Sequence, residues 1–182
     1  MGRYCDGDAG AVRKLYALVA PRLLHYAMCL VGDRQTAEDA LQTTFLKLHH
    51  ARTAYLRGAD PIPWLYTITH RVCLDELRRA KRSHVRLTHD GTQLPEVIAD
   101  LRGAPDSGEP DAETRELYTL TLAALEQLPP NQREALVLTK LHGRSMIEAA
   151  TITGSTPGAI KLRAHRAYVT LRKLLGATKE SA

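Results

Sequence analysis

Residues 62–82 read IPWLYTITHRVCLDELRRAKR, a stretch that specifies one helix with two unlike sides. Leu65, Ile68 and Val72 recur at helical spacing, and Trp64, Cys73 and Leu77 widen the stripe, so this side is predicted to bury. Turning about 100° per residue places Thr67, His70, Arg71, Leu74, Arg78 and Lys81 on the opposite face. Arg78, Arg79, Lys81 and Arg82 then close the helix with positive charge. Cations at a helix C-terminus complement the macrodipole, which accounts for the run without any partner. A basic face anchored by a tryptophan equally suits a phosphate backbone and unstacked bases. The residues alone leave a solvated face and a strand-binding face both open.

Outward from this helix, the chain of 182 residues is long enough for one medium domain or two small ones. It carries 25 Lys and Arg against 20 Asp and Glu, a net charge of +5, so an acidic partner is expected, nucleic acid first. One Trp, one Phe and few β-branched runs favour helices over sheets, and an all-α fold is predicted. Cys5, Cys29 and Cys73 are widely spaced with no C-x-x-C pair, which argues for reduced thiols rather than a disulfide framework or a zinc site, and Cys29 and Cys73 lie near apolar stripes as core residues. The N-terminus lacks the apolar core of a signal peptide, and Leu23 to Val31 is too short and polar to span a bilayer, so a cytoplasmic location without membrane insertion is expected. None of the eight histidines has H-E-x-x-H spacing, and no Gly-rich phosphate loop or nucleophile motif is present. An enzyme is therefore the least supported class, and no catalytic residue, metal or cofactor is expected.

Two helices are predicted ahead of this stretch. Asp8 to Val31 repeats Val12, Leu15, Tyr16, Val19, Leu23, Leu24, Ala27 and Leu30 as a buried stripe, and Pro21 is expected to kink or break it near Ala20. Gly32 ends that element and Asp33 caps the next, Asp33 to Ala51, with Ala37, Ala40, Leu41, Thr44, Phe45 and Leu48 on one face. Glu38, Asp39 and Gln42 lie outside the stripe, where acids also suit a helix N-terminus. Arg52 to Pro63 is a loop by composition, with Tyr55 free to pack or to stack on a base.

After Arg82 the periodicity fades. Glycines, prolines and acids over residues 84–111 predict a flexible acidic linker between domains at 1–83 and 112–182. Beyond it, Asp111 to Leu128 is expected to be helical until Pro129 and Pro130 stop it. Asn131 with Glu134 reads as a cap for a helix ending near Gly143, and Ser145 with Glu148 as a capping box for a shorter one ending at Gly154. Thr156 caps the last helix, with Pro157 at its first position. Two short helices, a tight turn and a longer helix form a helix-turn-helix pattern. On the last helix Ile160, Ala164, Ala167, Leu171 and Leu174 face inward, while Gly158, Lys161, Leu162, His165 and Arg166 face outward where a recognition helix meets the major groove; Arg163 extends the positive surface.

The stretch Trp64, Leu65, Tyr66, Ile68, Leu74, Asp75, Arg78 and Arg79 falls in register with W-L-Y-x-I-x-x-N-x-x-L-D-x-x-R-R and resembles region 2 of bacterial sigma factors of the extracytoplasmic-function group. Arg71 stands where that family commonly has Asn, so base preference does not carry over. AEDALQTTFLKLH over residues 37–49 is similar to the A-E-D-L-x-Q-x-x-F-L-x-L segment of the same family, with Ala40 in place of Leu. The run from Leu128 to Leu175 resembles sigma region 4, matching at Pro129, Gln132, Arg133, Glu134, Gly143, Ser145, Glu148, Lys161, Arg163, His165 and Arg166, with Ala159 in place of a frequent Thr.

The resemblance implies two small helical domains and a promoter-specificity subunit without chemistry of its own. It implies that Glu38, Asp39 and Gln42 dock on the β′ clamp of core RNA polymerase. Tyr55, Trp64, Thr67, His70, Arg71, Arg78, Arg79 and Lys81 are then expected at the minus-ten element of promoter DNA. Thr156, Gly158, Lys161, Leu162, Arg163, His165 and Arg166 are expected at the minus-35 element, with the second domain also touching the β flap. An anti-sigma factor is the implied regulator. Two other classes are a stand-alone helix-turn-helix regulator, which would need a dimer to cover two half-sites, and a sigma mimic that sequesters an anti-sigma factor.

Overall fold

The computed structural model describes residues 1–87, 124–125 and 127–180, and among these the chain is helices and turns with no strand. It divides into two compact units, one N-terminal and one C-terminal. The expected linker from residue 88 onward and most of the helix expected over Asp111 to Leu128 lie outside the described residues.

The N-terminal unit comprises α1 (Gly2–Cys5), α2 (Ala9–Val31), α3 (Arg34–Ala51), a single 3₁₀ turn at Arg52–Ala54, and α4 (Pro61–Leu87). Asp8 caps α2, its carboxylate accepting the amides of Gly10 at 2.8 Å and Ala11 at 3.1 Å. The break expected at Pro21 does not occur, and α2 is one uninterrupted helix. Leu15 and Val19 before the proline and Leu23, Tyr26 and Ala27 after it all bury in one core. Each large side chain contributes roughly 1.5–3 kcal/mol on burial, together more than the roughly 3 kcal/mol of a helical proline. Tyr16 departs from the predicted stripe: it is 48% exposed and leans on the Phe45 ring at 4.7 Å.

Gly32 closes α2 in the left-handed conformation, φ 87°, where a Cβ would be strained. Asp33 then caps α3 through the Thr36 amide at 2.7 Å. α2, α3 and α4 pack pairwise around Leu23, Tyr26, Ala37, Leu48, Leu65 and Val72. The buried hydroxyls of Thr44 and Thr69 donate back to the Ala40 and Leu65 carbonyls, so neither is an unsatisfied polar group. Cys73 is fully buried beside them in α4, while Cys29 and Cys5 are half-buried. α4 runs to Leu87, past the Arg82 end read from sequence and into the first residues assigned to the linker.

The C-terminal elements are α5 (Pro130–Leu136), a π turn at Val137–Leu141, α6 (Met146–Thr153) and α7 (Pro157–Glu180). α5 packs on α7, with Leu125, Leu128, Leu136 and Ala167 in the core and Leu171 against it. The Asn131 cap does not form: the helix starts earlier, with Pro129 at the capping position and Pro130 first in the helix. Proline there has its φ already set and lacks the amide that a cap would satisfy. Nor does α5 continue regularly to Gly143. The His142 amide donates to the Val137 carbonyl at 2.9 Å and the Arg144 amide to Leu138 at 2.8 Å, widening the last turn before Gly143 reverses the chain at φ 63°.

The Ser145 capping box is present in full. The Glu148 amide donates to Ser145 Oγ at 3.1 Å and the Ser145 amide to Glu148 Oε2 at 2.7 Å. That backbone hydrogen bond, aided by Arg144, holds the Glu148 carboxyl below its usual range. Gly154 turns the chain at φ 63° and Thr156 caps α7, accepting the Ala159 amide at 3.2 Å. No helix among the described residues is long and apolar enough to cross a membrane, and no group of metal-ligating side chains is present among them.

Candidate nucleic-acid interface

The faces of α4 are set by its two neighbours. Because α2 and α3 both pack on it, the buried arc runs through Leu65, Tyr66, Thr69, His70, Val72 and Cys73. Its centre is turned roughly 60° from the one that apolar spacing indicated. His70 is thereby removed from the proposed nucleic-acid face. It is 6% exposed, with its Nδ1 3.1 Å from the Tyr26 hydroxyl. Trp64 moves the other way. It stands half-buried in line with exposed Arg71, Arg78 and Arg82, at intervals of seven, seven and four. A tryptophan thus heads a basic file along the open side of the helix.

Arg78 and Arg79 keep side-chain exposures of 68% and 70%, and each pairs with an acid of its own helix, Asp75 at 3.2 Å and Glu76 at 3.0 Å. Surface pairs of this kind contribute about 0–1 kcal/mol, so a phosphate can displace the acid at little cost. Lys47 of α3 reaches the same Asp75 at 3.8 Å. Thr67 is half-buried and donates its hydroxyl to the Pro63 carbonyl at 2.8 Å, which places it at the margin. The Lys81 side chain lies outside the described residues.

Tyr55 sits at the head of that file. Its ring lies 5.7 Å from Trp64 with an interplanar angle of 33°, and its hydroxyl donates to the Ala59 carbonyl. Asp60 accepts the Ile62 amide at 2.9 Å and so starts α4. The two rings present an aromatic platform of the kind on which an unstacked base rests.

On α3, Glu38 pairs with Arg34 at 2.8 Å, Asp39 accepts from Gln35 at 3.3 Å, and Gln42 is exposed. Leu46 continues the line of Asp39 and Gln42 at helical spacing and is 62% exposed. Leu46 was not singled out from sequence. The signal was its phase, because the interval 39–42–46 falls off the Ala37, Leu41, Leu48 stripe.

In the C-terminal unit the expected outward residues are outward. Lys161, Leu162, His165 and Arg166 are exposed on the first turns of α7, with Gly158 open at its start. Arg163 is half-buried on the flank and the Thr156 hydroxyl is engaged as the cap. Val169, Arg172 and Lys173 prolong the same face, while Tyr168, 60% exposed, projects beside it. Ile160, Ala164 and Ala167 hold the opposite side against the core. The arrangement gathers hydrogen-bond donors and cations on one exposed side of the helix, the residue types that base edges and phosphates call for.

Residues 15–83 match the family model for Sigma-70 region 2 and residues 118–171 that for Sigma-70, region 4. RNA polymerase sigma factor CarQ of Myxococcus xanthus is 39% identical over 176 residues, covering 97% of this chain and 95% of CarQ. ECF RNA polymerase sigma factor SigM of Mycobacterium tuberculosis is 30% identical over 178 residues, 97% of this chain and 83% of SigM. Among solved structures, the sigma factor RpoE from Bartonella quintana, in complex with the anti-sigma factor NepR, aligns at TM-score 0.74 with 27% identity, covering 90% of this chain and 96% of that one. CnrH, in complex with the cytosolic domain of CnrY, shares the fold at TM-score 0.66 and 24% identity, over 97% of this chain and 94% of CnrH.

Proposed function

This chain belongs to the sigma-70 family of RNA polymerase sigma factors, in the extracytoplasmic-function group, and from that premise we propose how its residues divide the work. It is an alternative sigma factor: it joins core RNA polymerase, directs promoter recognition and is controlled by an anti-sigma factor. Its contribution is binding, with bond formation left to the polymerase, and it acts in the cytoplasm where the template is.

Residues 1–83 serve as the region 2 module, 84–111 as the connection and 112–182 as the region 4 module. Asp39, Gln42 and Glu38 on α3 dock on the β′ clamp, with Leu46 adding an apolar contact to the same face. Trp64 and Tyr55 receive a base of the melted minus-ten strand, and Arg71, Arg78, Arg79 and Lys81 track its phosphates. His70 has a structural role instead, and Thr67 lies at the edge. On α7, Lys161, Leu162, His165 and Arg166 meet base edges of the minus-35 duplex, while Gly158, Thr156 and Arg163 lie against its backbone.

The observation that carries this division is the file of Trp64, Arg71, Arg78 and Arg82 along the open side of α4. The test is transcription by purified core polymerase with and without this chain on a promoter library. Transcripts that require the added chain are expected, as is their loss in the Asp39→Ala, Gln42→Ala variant with its fold intact. A transcript pattern indifferent to the chain rejects the proposal.

A further inference from the structure

We propose that α1 is a strap that positions the base-receiving loop, with Tyr4, Cys5 and Asp6 as its positioning residues. The proposal rests on the reading of Tyr55 and Trp64 as the strand platform. A four-residue helix does not hold itself together in water, so α1 persists through what it touches. Tyr4 and Cys5 of α1, with Asp6 just after it, tie the last turn of α3 and two points of the connection that leads to α4. The Tyr4 hydroxyl lies 3.1 Å from His49 Nδ1, Cys5 Sγ donates to the Arg52 carbonyl at 3.2 Å, and Asp6 pairs with Arg57. Behind them, Arg3 pairs with Asp8 at 2.7 Å, and Asp8 in turn caps α2. The strap is therefore fastened at both ends, to the helix bundle and to the loop.

The pattern of burial argues for positioning rather than simple cover. Tyr4 is the apolar peg, 4% exposed, and burial raises its hydroxyl above the ordinary value. The Asp6 to Arg57 pair is well exposed, and such pairs add little to global stability. What it does is restrain the loop on the far side of Tyr55, while Leu56 at the tip stays 77% exposed. Tyr55 is thus held between Arg52, tied to Cys5 of α1, and Arg57, tied to Asp6 that follows it, and its ring is kept against Trp64. A loop ordered beforehand loses less freedom when a strand arrives.

Trp64 is the sole tryptophan and lies beside Tyr55, so its emission reports on this loop directly. The full chain carrying Tyr4→Phe and Asp6→Asn is compared with wild type for acrylamide quenching of Trp64. The same pair, bound to core polymerase, is compared for affinity towards single-stranded DNA taken from a promoter that the wild-type holoenzyme opens. Quenching is expected to rise and strand affinity to fall about tenfold, with duplex binding by the C-terminal unit unchanged. Asp6→Asn alone, which touches no buried group, should shift both readouts in the same direction by a smaller factor. His49→Gln, able to accept from Tyr4, should stay near wild type and His49→Leu should not. Unchanged quenching, or raised quenching with full strand affinity, overturns the strap. A wild-type holoenzyme that never binds the strand counts instead against the platform reading, and quenching still decides whether α1 restrains the loop.

Discussion

Arg78 and Arg79 hold acids of their own helix at the surface, and this makes them available rather than locked. Replacing both by Ala is expected to weaken promoter binding evenly across sequences and to reduce the log-log salt slope by about one per lost phosphate contact, measured by binding titrations from low to high salt. An unaltered slope places the phosphates elsewhere. His70 gives the contrary case. With its ring buried against Tyr26, His70→Ala should cost the N-terminal unit about 1–3 kcal/mol in a urea melt and leave the salt slope as it was. Arg71, Arg78, Lys161 and Arg166 were legible from sequence because long cations on a helix rarely bury. His70 was not, because histidine is at home on either side of a protein surface and only the neighbouring helices decide. The place of Trp64 on the buried stripe was misjudged for the same reason: an apolar side chain shows preference for cover without saying which partner supplies it.

Capping chemistry was the most readable information at the level of helices, since a cap is decided within a few residues. Asp33, Ser145 with Glu148, and Thr156 all formed as their spacing indicated. Asp33→Ala is expected to destabilise the N-terminal unit by about 1 kcal/mol, read from its thermal midpoint. Glu148 adds a pH dependence. Its folded carboxyl titrates below the ordinary value of 4.5, so its contribution is complete above that pH and is lost as pH falls through the lower folded value. Acid titration of the C-terminal unit should show this loss, and Glu148→Gln should flatten it. Features governed by packing were less legible. Pro21 was overruled by burial on both sides of it, α4 turned to meet the two helices packed on it, and the capping position expected at Asn131 fell at Pro129. The π turn after Leu136 had no sequence marker.

The whole molecule consists of two compact units, each offering a cationic helix face, α4 in one and α7 in the other. Joining two binding modules makes the second event intramolecular, so polymerase-bound intact chain should hold a bipartite promoter about 10²–10⁴-fold tighter than either unit supplied alone. Competition assays with promoters bearing one or both elements measure that ratio, and a value near one would mean that only one unit engages DNA. The division into two helical halves was visible in the loss of periodicity after Arg82, whereas the reach of α4 to Leu87 was not, since residues 83–87 lack an apolar stripe strong enough to announce it. Cys73 finally gives the N-terminal unit a built-in stopwatch. A thiol sealed from solvent meets an alkylating reagent only while its surroundings are breached, so its labelling rate, set against that of half-buried Cys5, times spontaneous opening under native conditions. Adding the partner proteins one at a time and following that rate by mass spectrometry would show which of them clamps the bundle shut and which pries it apart.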